Sequence, residues 1–122
     1  MIMKVAISTT GQTLDAPLDP RFGRARNFLV YDLEERTFQV IDNTENVNAA
    51  QGAGVQTAAA LARAGVKSLV TGHCGPKAFE VLTAAGITVY TSPAATVTAA
   101  LEQLRSGALE PAPSPDRASH WA

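Results

Sequence analysis

The hydrophobic repeat of this 122-residue chain changes period near Val55, and that change restricts the folds open to it. Before it lie three short apolar runs rich in β-branched residues, MKVAIST (3–9), FLVYDL (28–33) and TFQVID (37–42), each of strand length. The second and third are joined by Glu34-Glu35-Arg36, a link of hairpin size. After it, helical spacing at Val55, Ala58, Ala59, Leu61 and Ala62 gives way to strand-like VKSLVT (66–71). A second helix is expected from Pro76, which suits a first turn, and is followed by the strand ITVYT (87–91) and a third helix over Thr96–Leu104. Gly65 and Gly86 stand where the first two helices should stop.

The order is therefore βββαβαβα. Helices placed between the later strands imply parallel pairing with right-handed crossovers, while the first three strands can form an antiparallel meander. This predicts an α/β domain, a mixed five-stranded sheet with helices on its faces. Residues 1–109 are expected to form this single domain. The remainder, EPAPSPDRASHWA (110–122), is rich in proline and is expected to be an extended or mobile tail.

Composition narrows the function classes. Apolar residues make up 46% and charged residues 17%, as in a globular core built mostly of Ala, Val, Leu and Ile. A formal charge of −1 gives no reason to expect binding to nucleic acid or to a membrane surface. A single cysteine makes no intrachain disulfide, and the start MIMKVAIS has neither a basic segment nor a long apolar run. The expected compartment is the cytoplasm.

In an open α/β sheet, ligands favour the carboxyl ends of parallel strands. Three segments should converge there: the connection TGQTLDAPLDPRFGRA (10–25), the glycine-rich Gly52-Ala53-Gly54, and His73-Cys74-Gly75 before the second helix. Two helix N-termini facing one crevice favour an anion, and Arg21, Arg24 and Arg26 can add positive charge. Plainer readings stand beside these. GAG suits a flexible turn, and RFGRAR suits a solvated turn anchored by Phe22. Phosphate-cradling loops of the GxxxxGK[ST] or GxGxxG kind are missing from the sequence. Strand 1 carries no carboxylates for a two-metal site, and His73, Cys74 and His120 fall short of the four ligands of structural zinc. Cys74 near a helix N-terminus is expected to have a lowered pKa and, with His73, to suit a soft metal such as copper. The opposing expectation is that Cys74 is a small buried hydrophobe.

Taken in order and spacing, MKVAIST, DPRFGRARNFLVYDLE and NAAQGAGVQTAAALARAGVKSLVTGHCGPKAFEVLTAAGITVY resemble the dinitrogenase iron–molybdenum cofactor biosynthesis family. The marks are the FGRA turn, the GxGVQTA helix start and the TGxxGPxAF turn, and the likeness spans roughly residues 3 to 105. The resemblance implies a ribonuclease-H-like, three-layer fold. It also implies a non-catalytic carrier of an anionic metal–sulfur cargo, either an iron–molybdenum cofactor precursor or, as in the family's orange proteins, a molybdenum–copper sulfide cluster. Partners would be proteins that donate or accept the cluster. An alternative implied by the family is a cofactor-free regulatory module working with ParA/MinD-type ATPases. On this reading the cargo is held by backbone at Gly52, Ala53, Gly54, Val55, Gly75 and Lys77, with charge from Arg21 and Arg24. His73 and Cys74, which replace the family's usual polar residues between TG and GP, are the candidate metal contacts, and Met1 or Met3 a further soft contact.

Overall fold

The computed structural model describes residues 4–47 and 53–112. Strands β1 (Lys4–Thr9), β2 (Asn27–Asp32) and β3 (Thr37–Asp42) are followed by helices α1 (Thr44–Val47) and α2 (Ala53–Arg63), then β4 (Ser68–Thr71), α3 (Pro76–Ala84), β5 (Thr88–Thr91) and α4 (Val97–Arg105). The sheet order is β3-β2-β1-β4-β5. β1, β2 and β3 pair antiparallel, with Lys4 opposite Asp32 and Asn27 opposite Asp42. β4 joins β1 in parallel, Ala6 beside Leu69, and β5 joins β4 in parallel, Leu69 beside Val89.

Alternation along the central strand divides the core. Ala6 shares one face with Phe28, Val30, Leu69 and Val89, and is covered by Ala58 and Leu61 of α2 and by Ala78, Phe79 and Leu82 of α3. Val5 and Ile7 share the other with Leu29 and Val70, covered by Val97, Ala100 and Leu101 of α4. β1 is buried on both faces because parallel crossovers put helices on both sides of its neighbour β4. Gly65 and Gly86 have φ of +82° and +80°, the left-handed conformation that ends a helix, and the residue after each donates back to Leu61 O and Leu82 O. Among the described residues no helix is long and apolar enough to cross a membrane.

One feature goes beyond the sequence reading and another departs from it. The polar stretch after β3 contains the four-residue α1, whose start is fixed by Asp42 Oδ1 accepting from Thr44 N at 2.8 Å. The Thr44 hydroxyl, then its N–H, hold the Asp42 carboxyl below its usual range. The expected tail also begins docked rather than free. Ala112 N donates to Val89 O at 2.8 Å, Pro111 bridges Tyr90 antiparallel, and Ala112 packs against the α2/α3 side of the core. Residues 113–122, His120 and Trp121 included, lie outside the described residues.

Candidate functional site

The carboxyl ends of β1 and β4 are sealed together by polar groups that the core fully buries. Ser8 Oγ lies 2.6 Å from Asp19 O and 2.8 Å from Thr71 Oγ1. With one proton to give, Ser8 donates to the carbonyl and accepts from Thr71. Asp19 N donates to Ser8 O at 2.8 Å, so the connection leaving β1 is pinned at once to the strand end. It then runs beside the β4–α3 turn. His73 N donates to Pro20 O at 2.6 Å, Phe22 N donates to His73 O at 3.2 Å, and Arg21 and His73 form a parallel bridge. Gly72 makes this approach possible, because a Cβ there would stand 2.7 Å from Pro20 Cα. Phe22 anchors the turn, buried with its ring edge-on to Phe28 at 5.4 Å between centroids. The RFGRAR segment therefore combines an apolar anchor with exposed Arg21 and Arg24.

The first turns of α2 and α3 meet at this end of the sheet. A Cβ built on Gly54 would stand 3.2 Å from Ala78 Cβ, so the two N-termini lie in contact. Gly75 is the N-cap of α3 in extended conformation and Pro76 follows it, yet no side chain caps the helix. The contrast with α4 is informative. There Thr96 Oγ1 accepts from Ala99 N at 3.2 Å, while Ala16 O and Leu14 O accept from Val97 N and Thr98 N, each at 2.9 Å. The protein thus plugs the α4 terminus with its own acceptors and leaves α3 without a side-chain cap. An uncapped N-terminus carries partial positive charge and N–H groups able to meet an anion.

Of the residues singled out from sequence, the structure brings Arg21, His73, Cys74, Gly75 and Lys77 together around the start of α3, with Gly54 in contact through Ala78. Val55 follows in the first turn of α2, partly exposed, and Arg24 lies exposed in the turn after Phe22. Ala53 begins α2, while Gly52, like Met1 and Met3, lies outside the described residues.

Cys74 requires a correction. It is only 4% exposed and belongs to the α2/α3 side of the core with Phe22, Ala78 and Phe79. Burial pushes its thiol up to about 12, so the expected low-pKa thiolate is not formed at neutral pH. Desolvation outweighs the helix dipole because the side chain turns into the core instead of along the helix axis. A neutral buried thiol is a poor nucleophile and a poor metal ligand. His73 is half-buried, which leaves it the only donor of that pair not enclosed by the core. Among the described residues no three of His, Cys, Asp and Glu converge as a metal-holding group.

The sequence reading missed Asn43. Its side chain is 2% exposed and joins three segments: Nδ2 donates to Ala25 O at 2.8 Å, and Oδ1 accepts from Asn46 Nδ2 at 2.9 Å and from Thr57 Oγ1 at 3.0 Å. Asn43 N also donates to Arg26 O at 2.8 Å. Asn43 thereby ties the arginine-bearing turn to α2. A separate hollow of about 220 Å³, lined by Lys4, Val30, Asp32, Thr37, Phe38 and Gln39, lies at the opposite end of the sheet and takes no part in this arrangement.

The segments that build this crevice are those that match known proteins. Residues 3–107 match the family model described as dinitrogenase iron-molybdenum cofactor. The chain belongs to that family. The apo form of the orange protein from Desulfovibrio gigas is similar at 36% identity and a TM-score of 0.92, covering 96% of this chain and 98% of that one. A Thermotoga protein described as a candidate NifB is similar at 35% identity and a TM-score of 0.84, covering 94% and 97%. An uncharacterized protein of Methanocaldococcus jannaschii is 29% identical over 112 residues, 89% of this chain and 91% of its own length. The family's architecture therefore extends over the whole crevice-bearing part of the molecule.

Proposed function

We propose that this protein carries an anionic metal–sulfur cluster or a precursor of a molybdenum cofactor as cargo, without turning it over. The observation that carries the reading is the uncapped start of α3, in contact with the first turn of α2 and flanked by Arg21. Two helix N-termini and a guanidinium favour a multiply charged anion held by hydrogen bonds. The donor set suits such a cargo and does not suit a bare thiophilic metal ion, since Cys74 is a buried neutral thiol. A thiometallate brings its own sulfide ligands, so the protein needs to supply charge and N–H groups rather than thiolates. The backbone at Gly52 to Val55 and Gly75 to Lys77 would hold it, Arg21 and Arg24 would draw it in, and His73 would touch its edge. Membership of the cofactor family and the likeness to a protein solved in its apo form support this reading. The same likeness supports a ribonuclease-H-like description of the fold. Partners on this reading are the proteins that load and unload the cluster, in the cytoplasm.

The test is titration with tetrathiomolybdate, with and without copper, at low and high ionic strength, alongside metal analysis and visible absorption of the protein as isolated. Binding that weakens as salt rises is expected, because screening reduces the exposed part of the attraction. Absence of any binding, together with a colourless and metal-free protein, overturns the proposal. Salt-independent binding shifts it towards direct ligation.

A further inference from the structure

We infer that Asp19 is the positioning residue of the crevice, a buried carboxylate that fixes the direction of the Arg21 guanidinium. The inference rests on the cargo reading above and adds to it a residue and a role. Asp19 is 2% exposed and is held by its own backbone, N to Ser8 O at 2.8 Å and O to Ser8 Oγ at 2.6 Å. Its side chain is thereby aimed at a fixed place. Asp19 Oδ1 accepts from Arg21 N at 3.0 Å and meets Arg21 Nε at 3.4 Å. The Arg21 side chain is 54% exposed, and among the described residues its two Nη groups make no ion pair. The Nε end of the guanidinium is therefore tied to a segment pinned at a strand end, on a side chain that is more than half exposed.

A buried negative charge next to an anion site has two opposite effects. It repels the anion through Coulomb's law, and it spares the arginine the loss of rotamer freedom on binding. Long, exposed cationic side chains lose much of their gain to that ordering. The hydrogen bond to Arg21 N makes the geometry specific, since the same oxygen sets both the backbone turn and the side-chain direction. Neighbouring His73 is locked to the same turn through Pro20 and Phe22, so the Arg21 backbone keeps a constant position relative to the start of α3 and the contact of Nε with Asp19 sets the direction beyond it. If orientation is the stronger effect, removing the charge weakens binding even though it removes a repulsion.

Tetrathiomolybdate would be titrated into the wild-type chain, Asp19→Asn, Arg21→Ala and the double variant. Asn retains the oxygen that Arg21 N and Nε share, so the turn should persist, while the contact with Nε loses its charge assistance and holds the guanidinium less firmly. Positioning predicts that Asp19→Asn weakens binding roughly three- to tenfold, and that the double variant binds no worse than Arg21→Ala alone. Tighter binding by Asp19→Asn, or losses that simply add, would overturn the inference. A ligand-free measurement separates this from the cargo reading: the Arg21 Nε–H proton, followed by NMR, should exchange more slowly in the wild type than in Asp19→Asn. Equal exchange overturns the role of Asp19 whatever binds. Slow exchange in the wild type, with no tetrathiomolybdate bound and a colourless, metal-free protein as isolated, overturns the cargo reading while leaving the clamp in place.

Discussion

Gly72 lies against Pro20 so closely that an added Cβ would stand 2.7 Å from Pro20 Cα and 2.8 Å from its carbonyl oxygen. The obstruction is backbone, which cannot rotate away as the end of a flexible side chain would. Gly72→Ala should therefore push the 19–22 segment from the β4–α3 turn and cost about 1–3 kcal/mol, by the mechanism of overpacking. Urea unfolding measures the cost, and tetrathiomolybdate affinity should fall with it. A variant as stable as wild type would show that the two turns can separate freely.

Cys74 makes stability pH-dependent in a direction that can be worked out. Its folded pKa is raised from 9.0 to about 12 by burial. Below pH 9 the thiol is neutral in both states and its contribution is complete. As pH climbs from 9 towards 12 the unfolded thiol ionises first, so stability falls by up to about 1.4 kcal/mol per pH unit. The advantage of wild type over Cys74→Ala, measured in urea at pH 7 and pH 10.5, should therefore shrink at the higher pH. An advantage that stays constant means the thiol is solvated in the folded state. Disulfide-forming reagents should likewise react with Cys74 only on unfolding.

Asn43 should be among the most sensitive polar positions. Replacing it with Ala leaves Ala25 O and Thr57 Oγ1 without their partner in a buried place, a cost of about 2–3 kcal/mol. Asn43→Asp restores the acceptor but not the donor and should not recover the loss. Thermal unfolding of the two variants checks this, and a loss below about 0.5 kcal/mol for both would show that water replaces the network.

The chain beyond α4 can be divided by deletion. Removing 110–122 should cost about 1–2 kcal/mol more than removing 113–122, because only the longer deletion loses the Ala112–Val89 hydrogen bond and the packing of Ala112. Equal stability of the two shortened chains would mean that the contacts with β5 contribute nothing.

The strands and longer helices were legible because their signals are local. β-branched runs, helical spacing in VQTAAALA and the stops at Gly65 and Gly86 need no distant partner. What the sequence concealed depends on residues far apart in the chain. Ser8 meets Thr71 across 63 positions, and Asn43 reaches back 18 residues to Ala25, so neither polar group announces its burial. α1 was hidden because four residues cannot show a period, and its start depends on the side chain of Asp42. For Cys74 the sequence placed the residue correctly at a helix start but not the direction of its side chain. That direction decides whether dipole or desolvation controls the thiol.

The short return of Pro111 and Ala112 along β5 also limits how copies of this molecule can join. A proline beside an edge strand offers a carbonyl but no N–H, so backbone pairing is hard to continue past it. Among the described residues β3 is then the margin of the sheet left open, with Phe38 42% exposed on it. Two molecules joined through their β3 margins would exhaust the edges left open among the described residues of both. Association by this route closes into a pair, whereas a sheet open at both margins could lengthen without limit.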